Sequence, residues 1–152
     1  MCGIVGKFSY ESNKLDIEDF NLALKKIFHR GPDGSGIYTS EYLTMGMRRL
    51  SILDLNTGDQ PIYNEDKSII TVFNGEIYNY IELREELMAK NHKFYTSTDT
   101  EVIVHLYEEY GLEFSSKLNG MFAIALWDNK NKKLILSRDR VGEKPLYFKK
   151  NK

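Results

Sequence analysis

The sequence predicts a layered α+β domain in which antiparallel sheets are buried between helices, and three observations carry that reading. Three segments have helical apolar spacing, while most of the rest falls into short apolar or β-branched runs bounded by turn residues. Met121 to Trp127 is apolar at every position, which asks for cover on both faces of its strand. Strands that are neighbours in sequence and joined by short connections favour antiparallel pairing. The alternative, a parallel doubly wound sheet, needs regular strand–helix alternation, and the middle of the chain lacks it.

In chain order, residues 3–9 read as a first strand. A helix over 17–28 places Ile17, Phe20, Leu24 and Ile27 on one face, with Asp16 as its N-cap. Strands follow at 36–39, 42–50 and 68–73. A helix over 80–90 follows Asn79, with Glu82 completing a capping box and Leu83 and Leu87 on one stripe. A third helix over 99–110 follows Thr98, with Glu101 in a second box and Gly111 as the stop. Its inner face carries Val102, Ile103, Leu106 and Tyr110. GMFAIALWD, NKNK and KLILSRD form the clearest hairpin, with strands at 120–127 and 132–138, and a last strand is predicted at 145–149.

Bulk properties narrow the function. A chain of 152 residues fits one domain, and 41% hydrophobic residues support a real core. Twenty-one basic against 22 acidic residues leave a net charge of −1, so no electrostatic case exists for nucleic acid or an anionic membrane. One cysteine excludes an internal disulfide and with it a secreted disulfide scaffold. Lys7, Glu11, Lys14 and Asp16 interrupt any leader-like apolar stretch, and no run approaches the ~20 apolar residues of a membrane helix. A cytoplasmic protein is expected. Oligomerisation is left open.

The lone thiol is Cys2. Removal of Met1 would leave it at the N-terminus, with a thiol and a free α-amine in one residue. Such an amine has a reference pKa of about 7.7–8.0 and can serve as a base near neutrality. Terminal amines activate adjacent nucleophiles directly or through water. The rival is cysteine–histidine chemistry, with His29, His92 and His105 as candidates. Those histidines show no metal-ligand spacing and one cysteine cannot build a zinc site, so no metal is expected.

NGEIYN, residues 74–79, falls at a strand-to-helix junction. Asn74 offers an amide donor and Gly75 an unobstructed backbone N–H, which together suit a developing oxyanion. Asn-Gly is equally a common turn dipeptide. Arg48 and Arg49 lie near a strand end, so their side chains point to opposite faces and one at most serves a given site. Its guanidinium would suit a carboxylate. Glu76 and Asp99 can meet an ammonium, although Asp99 at a helix start is also an ordinary dipole-compensating residue. The loop RGPDGSG, residues 30–36, lacks phosphate-binding spacing and reads as a mobile substrate loop. As a set, these groups suit attack on the side-chain amide of a free amino acid.

MCGIVG, HRGPDGSG, RRLSILDL, FNGEIYNY, TDTEVI, GMFAIALWD and RDRVGEKPLYF, in this order, resemble the N-terminal glutaminase domain of glutamine-hydrolysing asparagine synthetases. These are class II, or N-terminal nucleophile (Ntn), glutamine amidotransferases, and the resemblance covers residues 1–152. It implies an αββα four-layer sandwich of antiparallel sheets. It implies L-glutamine as substrate, Cys2 as nucleophile, Asn74 and Gly75 as the oxyanion hole, and Arg49 as the carboxylate ligand. Glu76 and Asp99 then match the ammonium ligands, and the main chain of the Leu50–Leu53 stretch, with Leu50 and Ile52, lines the pocket. No cofactor is expected for these residues. ATP and Mg belong to the family's C-terminal ATP-pyrophosphatase domain, whose SGGxDS loop does not occur in this sequence. The glutaminase domain is accordingly expected to be cut short near Lys149 to Lys152, with the synthetase domain absent. Two other readings stay open: an amidotransferase serving another acceptor, such as a sugar acid, and a non-catalytic remnant that binds glutamine.

Overall fold

The computed structural model describes residues 2–11, 17–50 and 58–150. Within them, the strands form two antiparallel sheets. The smaller sheet runs β1–β3–β2, with β1 at Gly3–Phe8, β2 at Gly34–Thr39 and β3 at Leu43–Arg49. The larger runs β4–β5–β6–β7, with β4 at Ile62–Tyr63, β5 at Ile69–Ile77, β6 at Gly120–Asp128 and β7 at Lys133–Arg138.

Side chains alternate across a strand, and the apolar residues occupy the alternate positions that let the two sheets meet. Leu43, Met45 and Met47 of β3, Ile70 and Val72 of β5, and Ala125 and Trp127 of β6 form one buried cluster, joined by Ile4 and Phe8 of β1. This cluster is the inter-sheet core. The opposite face of the larger sheet carries Ile69, Phe73, Ile77, Phe122, Ile124 and Leu126. They pack with Leu83 and Leu87 of α2 (Tyr80–Ala89) and with Val102, Ile103 and Leu106 of α3 (Glu101–Tyr110). On the other side, α1 (Ile17–Lys26) buries Phe20 and Leu24 and lies against β3. The layers therefore run helix, sheet, sheet, helix, which is the expected αββα sandwich. The continuous apolar run of β6 is explained by core on both of its faces.

Several local expectations yield to longer-range contacts. β5 does not turn at Asn74 but continues to Ile77, paired in register with β6 (Asn74 with Ala123, Gly75 with Phe122, Glu76 with Met121). A Cβ at Gly75 would lie 2.0 Å from the Met121 carbonyl oxygen. Glycine is needed there because two backbones approach closely, not because the chain turns. Neither capping box forms. Asn79 instead donates to the Lys117 carbonyl at 3.0 Å and accepts from the Asn119 N–H at 2.9 Å, tying the start of α2 to the segment before β6. Glu101 is wholly buried and accepts the N–H groups of Tyr95 and Thr96 at 2.8 and 2.7 Å, bracing the turn before α3.

The first helix gives way after Lys26 to a short 3-10 turn at Phe28–Arg30, and β2 begins at Gly34, so the end of the RGPDGSG loop is strand. Residues 145–149 are not a strand. Tyr147 and Phe148 are 91% and 80% exposed, so the apolar alternation there meets no second face. Asp16, the proposed cap of α1, lies outside the described residues.

Trp127 is completely buried between the sheets. Trp127→Ala is expected to cost about 3–5 kcal/mol of unfolding free energy, read as a lower urea midpoint. Wild-type stability in that variant would contradict the inter-sheet core.

Candidate active site

At one end of the inter-sheet core the apolar rows give way to polar residues of the same parity. On β3 the row Leu43, Met45, Met47 continues to Arg49, and on β5 the row Ile70, Val72 continues to Asn74 and Glu76. The β1 row of Phe8 and Ile4 continues to Cys2. All four of these polar residues line one cleft, together with Leu50, Gly75 and Asp99. Side-chain alternation along facing strands thus brings together residues far apart in sequence.

Cys2 is partly buried. The Leu50 N–H donates to its Sγ at 3.4 Å, and the thiol lies 3.7 Å from the Leu50 carbonyl. Arg30 donates through Nε and Nη2 to the Cys2 carbonyl at 3.4 and 3.3 Å. The residue is therefore held from both ends of its backbone and side chain.

Beyond the short strand β4, β5 is an edge. The Phe73 N–H there is taken by Gln60 Oε1 at 2.7 Å and the Ile77 N–H by Asp99 Oδ2 at 2.9 Å. Strand alternation aims the Gly75 N–H the same way, between those two, and no side chain among the described residues accepts it. Asn74 is only 5% exposed, and its amide makes no hydrogen bond to a described residue. Two donors without a partner among the described residues therefore line the cleft.

Burial pushes the Asp99 carboxyl up to about 6, and the nearby Glu76 charge adds to this against the opposing Ile77 N–H. Ionising Asp99 inside the fold at neutral pH costs about 3 kcal/mol, a cost that vanishes at pH values below the ordinary carboxylate range. Among the described residues it has no cationic partner. Glu76 and Asp99 thus form an acidic corner suited to a cation.

Arg49 is 5% exposed and pairs with Asp59 Oδ1 at 2.7 Å. Arg48 points the other way: its Nε donates to the Gly31 carbonyl at 3.0 Å and its guanidinium lies 4.6 Å from the Phe28 ring centroid. Only Arg49 lines the cleft. Ile52 and Leu53 lie outside the described residues. None of the three histidines lines the cleft, so the cysteine–histidine arrangement finds no support there.

Two cleft residues carried no sequence signal of their own role. Gln60 braces β5 through a backbone N–H far away in sequence, which no local pattern announces. Lys144 is 7% exposed and lines the cleft from the turn after β7. Asp139 holds that turn. Burial raises its carboxyl, but the N–H groups of Lys144, Glu143 and Phe122 outweigh that and hold it at about 2. The RDRVGEKPLYF motif contained both residues without indicating this arrangement.

No helix among the described residues is long and apolar enough to cross a membrane. Residues 1–152 match the family model described as a glutamine amidotransferase domain. The chain is 47% identical over 149 residues to asparagine synthetase [glutamine-hydrolyzing] 2 of Oryza sativa subsp. japonica, covering 97% of this chain and 25% of that protein. It is 46% identical over 151 residues to asparagine synthetase [glutamine-hydrolyzing] 1 of Bacillus subtilis (strain 168), covering 97% and 24% respectively. The chain thus spans about a quarter of the length of the curated relatives it matches. Among solved structures, glutamine phosphoribosylpyrophosphate amidotransferase from B. subtilis superposes with a TM-score of 0.66 at 18% identity, over 85% of this chain and 35% of that one. That likeness bears on the fold, and agrees with the αββα layering. With the family model matched from end to end, the chain belongs to the glutamine amidotransferase domain family.

Proposed function

We propose that this domain hydrolyses L-glutamine to glutamate and ammonia, as the glutaminase half of an asparagine synthetase. The observation that carries the reading is the convergence of Cys2, Arg49, Asn74, Gly75, Glu76 and Asp99 on one cleft. With Met1 removed, the Cys2 α-amine takes the thiol proton, directly or through a water, and the sulfur attacks the side-chain amide carbon. The Asn74 amide and the Gly75 N–H, neither of them bonded to a described residue, meet the oxyanion as it forms. Collapse of the tetrahedral intermediate expels ammonia and leaves a γ-glutamyl thioester, which water hydrolyses to glutamate.

Recognition of the free amino acid falls to the charged walls. Arg49 receives the α-carboxylate, while Glu76 and Asp99 receive the α-ammonium. An arriving ammonium supplies the cation that Asp99 lacks among the described residues. The Leu50 main chain, already in contact with the Cys2 sulfur, lines the pocket. The domain itself needs no cofactor for this half-reaction. The released ammonia serves ATP- and Mg-dependent amidation of aspartate in a separate synthetase domain, and the protein works in the cytoplasm.

Ammonia release from glutamine tests the reading directly. Cys2→Ala should lose it by about a thousandfold or more while remaining folded, and mass spectrometry should find Met1 absent. Release undiminished in Cys2→Ala would overturn the assignment.

Arg49→Ala should raise the glutamine KM about tenfold to a hundredfold, the worth of a charge-assisted hydrogen bond. Arg48→Ala should leave KM nearly unchanged, because Arg48 occupies the opposite face. Equal effects would contradict the strand-face assignment.

Asp99 is charged above pH 6 and neutral below it. kcat/KM for glutamine should therefore fall by up to about tenfold per pH unit below 6. In Asp99→Asn that added fall should disappear, leaving only the limb set by protonation of the Cys2 α-amine, and KM should be high at every pH. An unchanged acid limb in the variant would assign it to another group.

A further inference from the structure

Outside the cleft, the fold gathers four side chains that can ligate a metal: Glu65 in the β4–β5 turn, His92 after α2, and His105 and Glu108 on α3. Their ligand atoms all lie within 4.8 Å of one another. His105 Nδ1 is 3.3 Å from Glu108 Oε2 and 3.5 Å from Glu65 Oε2. His92 Nδ1 is 3.6 Å from Glu108 Oε2 and 3.7 Å from Glu65 Oε1. A tetrahedral ion with bonds of about 2.0–2.1 Å has donor–donor edges of about 3.3–3.4 Å, so small side-chain shifts would close the four donors on an ion.

The surroundings favour the same orientation. A metal-bound histidine offers one nitrogen to the ion and turns the other N–H toward a carboxylate or carbonyl. Both histidines face inward through Nδ1. His92 Nε2 is backed by Glu109 Oε1 at 3.0 Å. His105 is completely buried, and its Nε2 faces Glu101 at 3.6 Å, an ion-pair contact too long for a hydrogen bond. Among the described residues that nitrogen is left without a hydrogen-bond partner. Glu108 is steadied through its other oxygen by the Asn64 amide at 2.8 Å, and Glu65 by the Lys93 N–H at 2.8 Å. Glu65 and Glu108 keep 35% and 28% of their side chains exposed, which leaves a path from solvent.

We propose that Glu65, His92, His105 and Glu108 form a tetrahedral site for a divalent ion of the Zn2+ class. Two imidazole nitrogens and two carboxylate oxygens suit such an ion, and four protein ligands leave no open position for a substrate, which marks the site as structural. Bound there, the ion links the β4–β5 turn, the α2–α3 connection and α3. The N-terminus of α3 directly follows the cleft residues Asp99 and Thr100, so the clip stiffens one wall of the cleft without touching it. Linear spacing hid this set, because His92 and His105 meet only when α3 folds back against the chain leaving α2.

The test uses the full chain, stripped with chelator and titrated with Co2+ and then Zn2+. One Co2+ per chain should bind with the strong visible absorption of tetrahedral cobalt, Zn2+ should displace it, and the Tm should rise. The partly exposed ligands allow variants that fold: His92→Gln and Glu65→Gln should weaken Zn2+ by about 100-fold or more, and Glu109→Gln by about tenfold. Cys2→Ser should bind Zn2+ as tightly as the unaltered chain, which separates this site from thiol capture at the cleft. The proposal is overturned if the natively folded chain binds no stoichiometric metal, if binding survives His92→Gln and Glu65→Gln, or if it is lost in Cys2→Ser.

Discussion

Everything at the cleft depends on two sheets packing face to face with their side chains in strict alternation. Apolar residues at alternate positions of β1, β3, β5 and β6 fill the space between the sheets, and the same alternation carries past the last apolar pair into the cleft. Arg49, Asn74 and Glu76 point where they do because Met47 and Val72 point where they do, two or four residues earlier. A one-residue slip of β5 against β6 would send Asn74 and Glu76 into the apolar layer beside α2 and α3. Gly75 guards that register, since any side chain there would collide with the Met121 carbonyl. Stability and site geometry are thus set by one packing arrangement.

The cleft also holds groups that folding alone would not favour. Asp99 is buried close to Glu76 without a cation among the described residues, and the amide of the largely buried Asn74 opens onto the cleft without a hydrogen bond to them. Buried polar groups are normally satisfied, and a buried carboxylate is costly unless paired. These costs fall on the residues a bound amino acid would satisfy: an acidic corner for an ammonium and an open donor for an oxygen. Gln60 shows the contrasting case. It spends its carbonyl on the Phe73 N–H and so leaves the Gly75 donor as the open position on that strand edge.

The layered α+β class, the three helices and the β6–β7 hairpin were legible because periodicity is a local signal and the core here follows it. The split of Arg48 and Arg49 between faces was legible for the same reason, and the structure puts Arg48 against Phe28 and Arg49 in the cleft. Where local chemistry competed with distant partners, the distant partners won. Asn-Gly is a strong turn dipeptide, yet pairing with β6 keeps residues 74–77 extended. Asn79 and Glu101 had capping-box spacing but found better partners at Asn119 and Thr96. The alternation at 145–149 had no sheet to join. Gln60 and the His92–His105 meeting involve contacts between separate segments, which periodicity does not encode, and Asp139 joins its own following turn to the Phe122 N–H of β6. Asp99 was read from its helix-start position both as a dipole-compensating residue and as an ammonium partner, and the structure buries it beside Glu76 with the Ile77 N–H on its carboxylate.

The central claim is that the Cys2 sulfur attacks the amide carbon of a glutamine held by the charged walls of the cleft. A glutamine analogue with an electrophilic carbon in place of the amide nitrogen tests it most directly, by intact-mass and peptide mass spectrometry of the full chain. The account predicts one adduct per chain, on the thiol of a Cys2 that has lost Met1, formed more slowly when glutamine is present. An adduct on another residue, or labelling of Cys2 that glutamine does not slow, would contradict it.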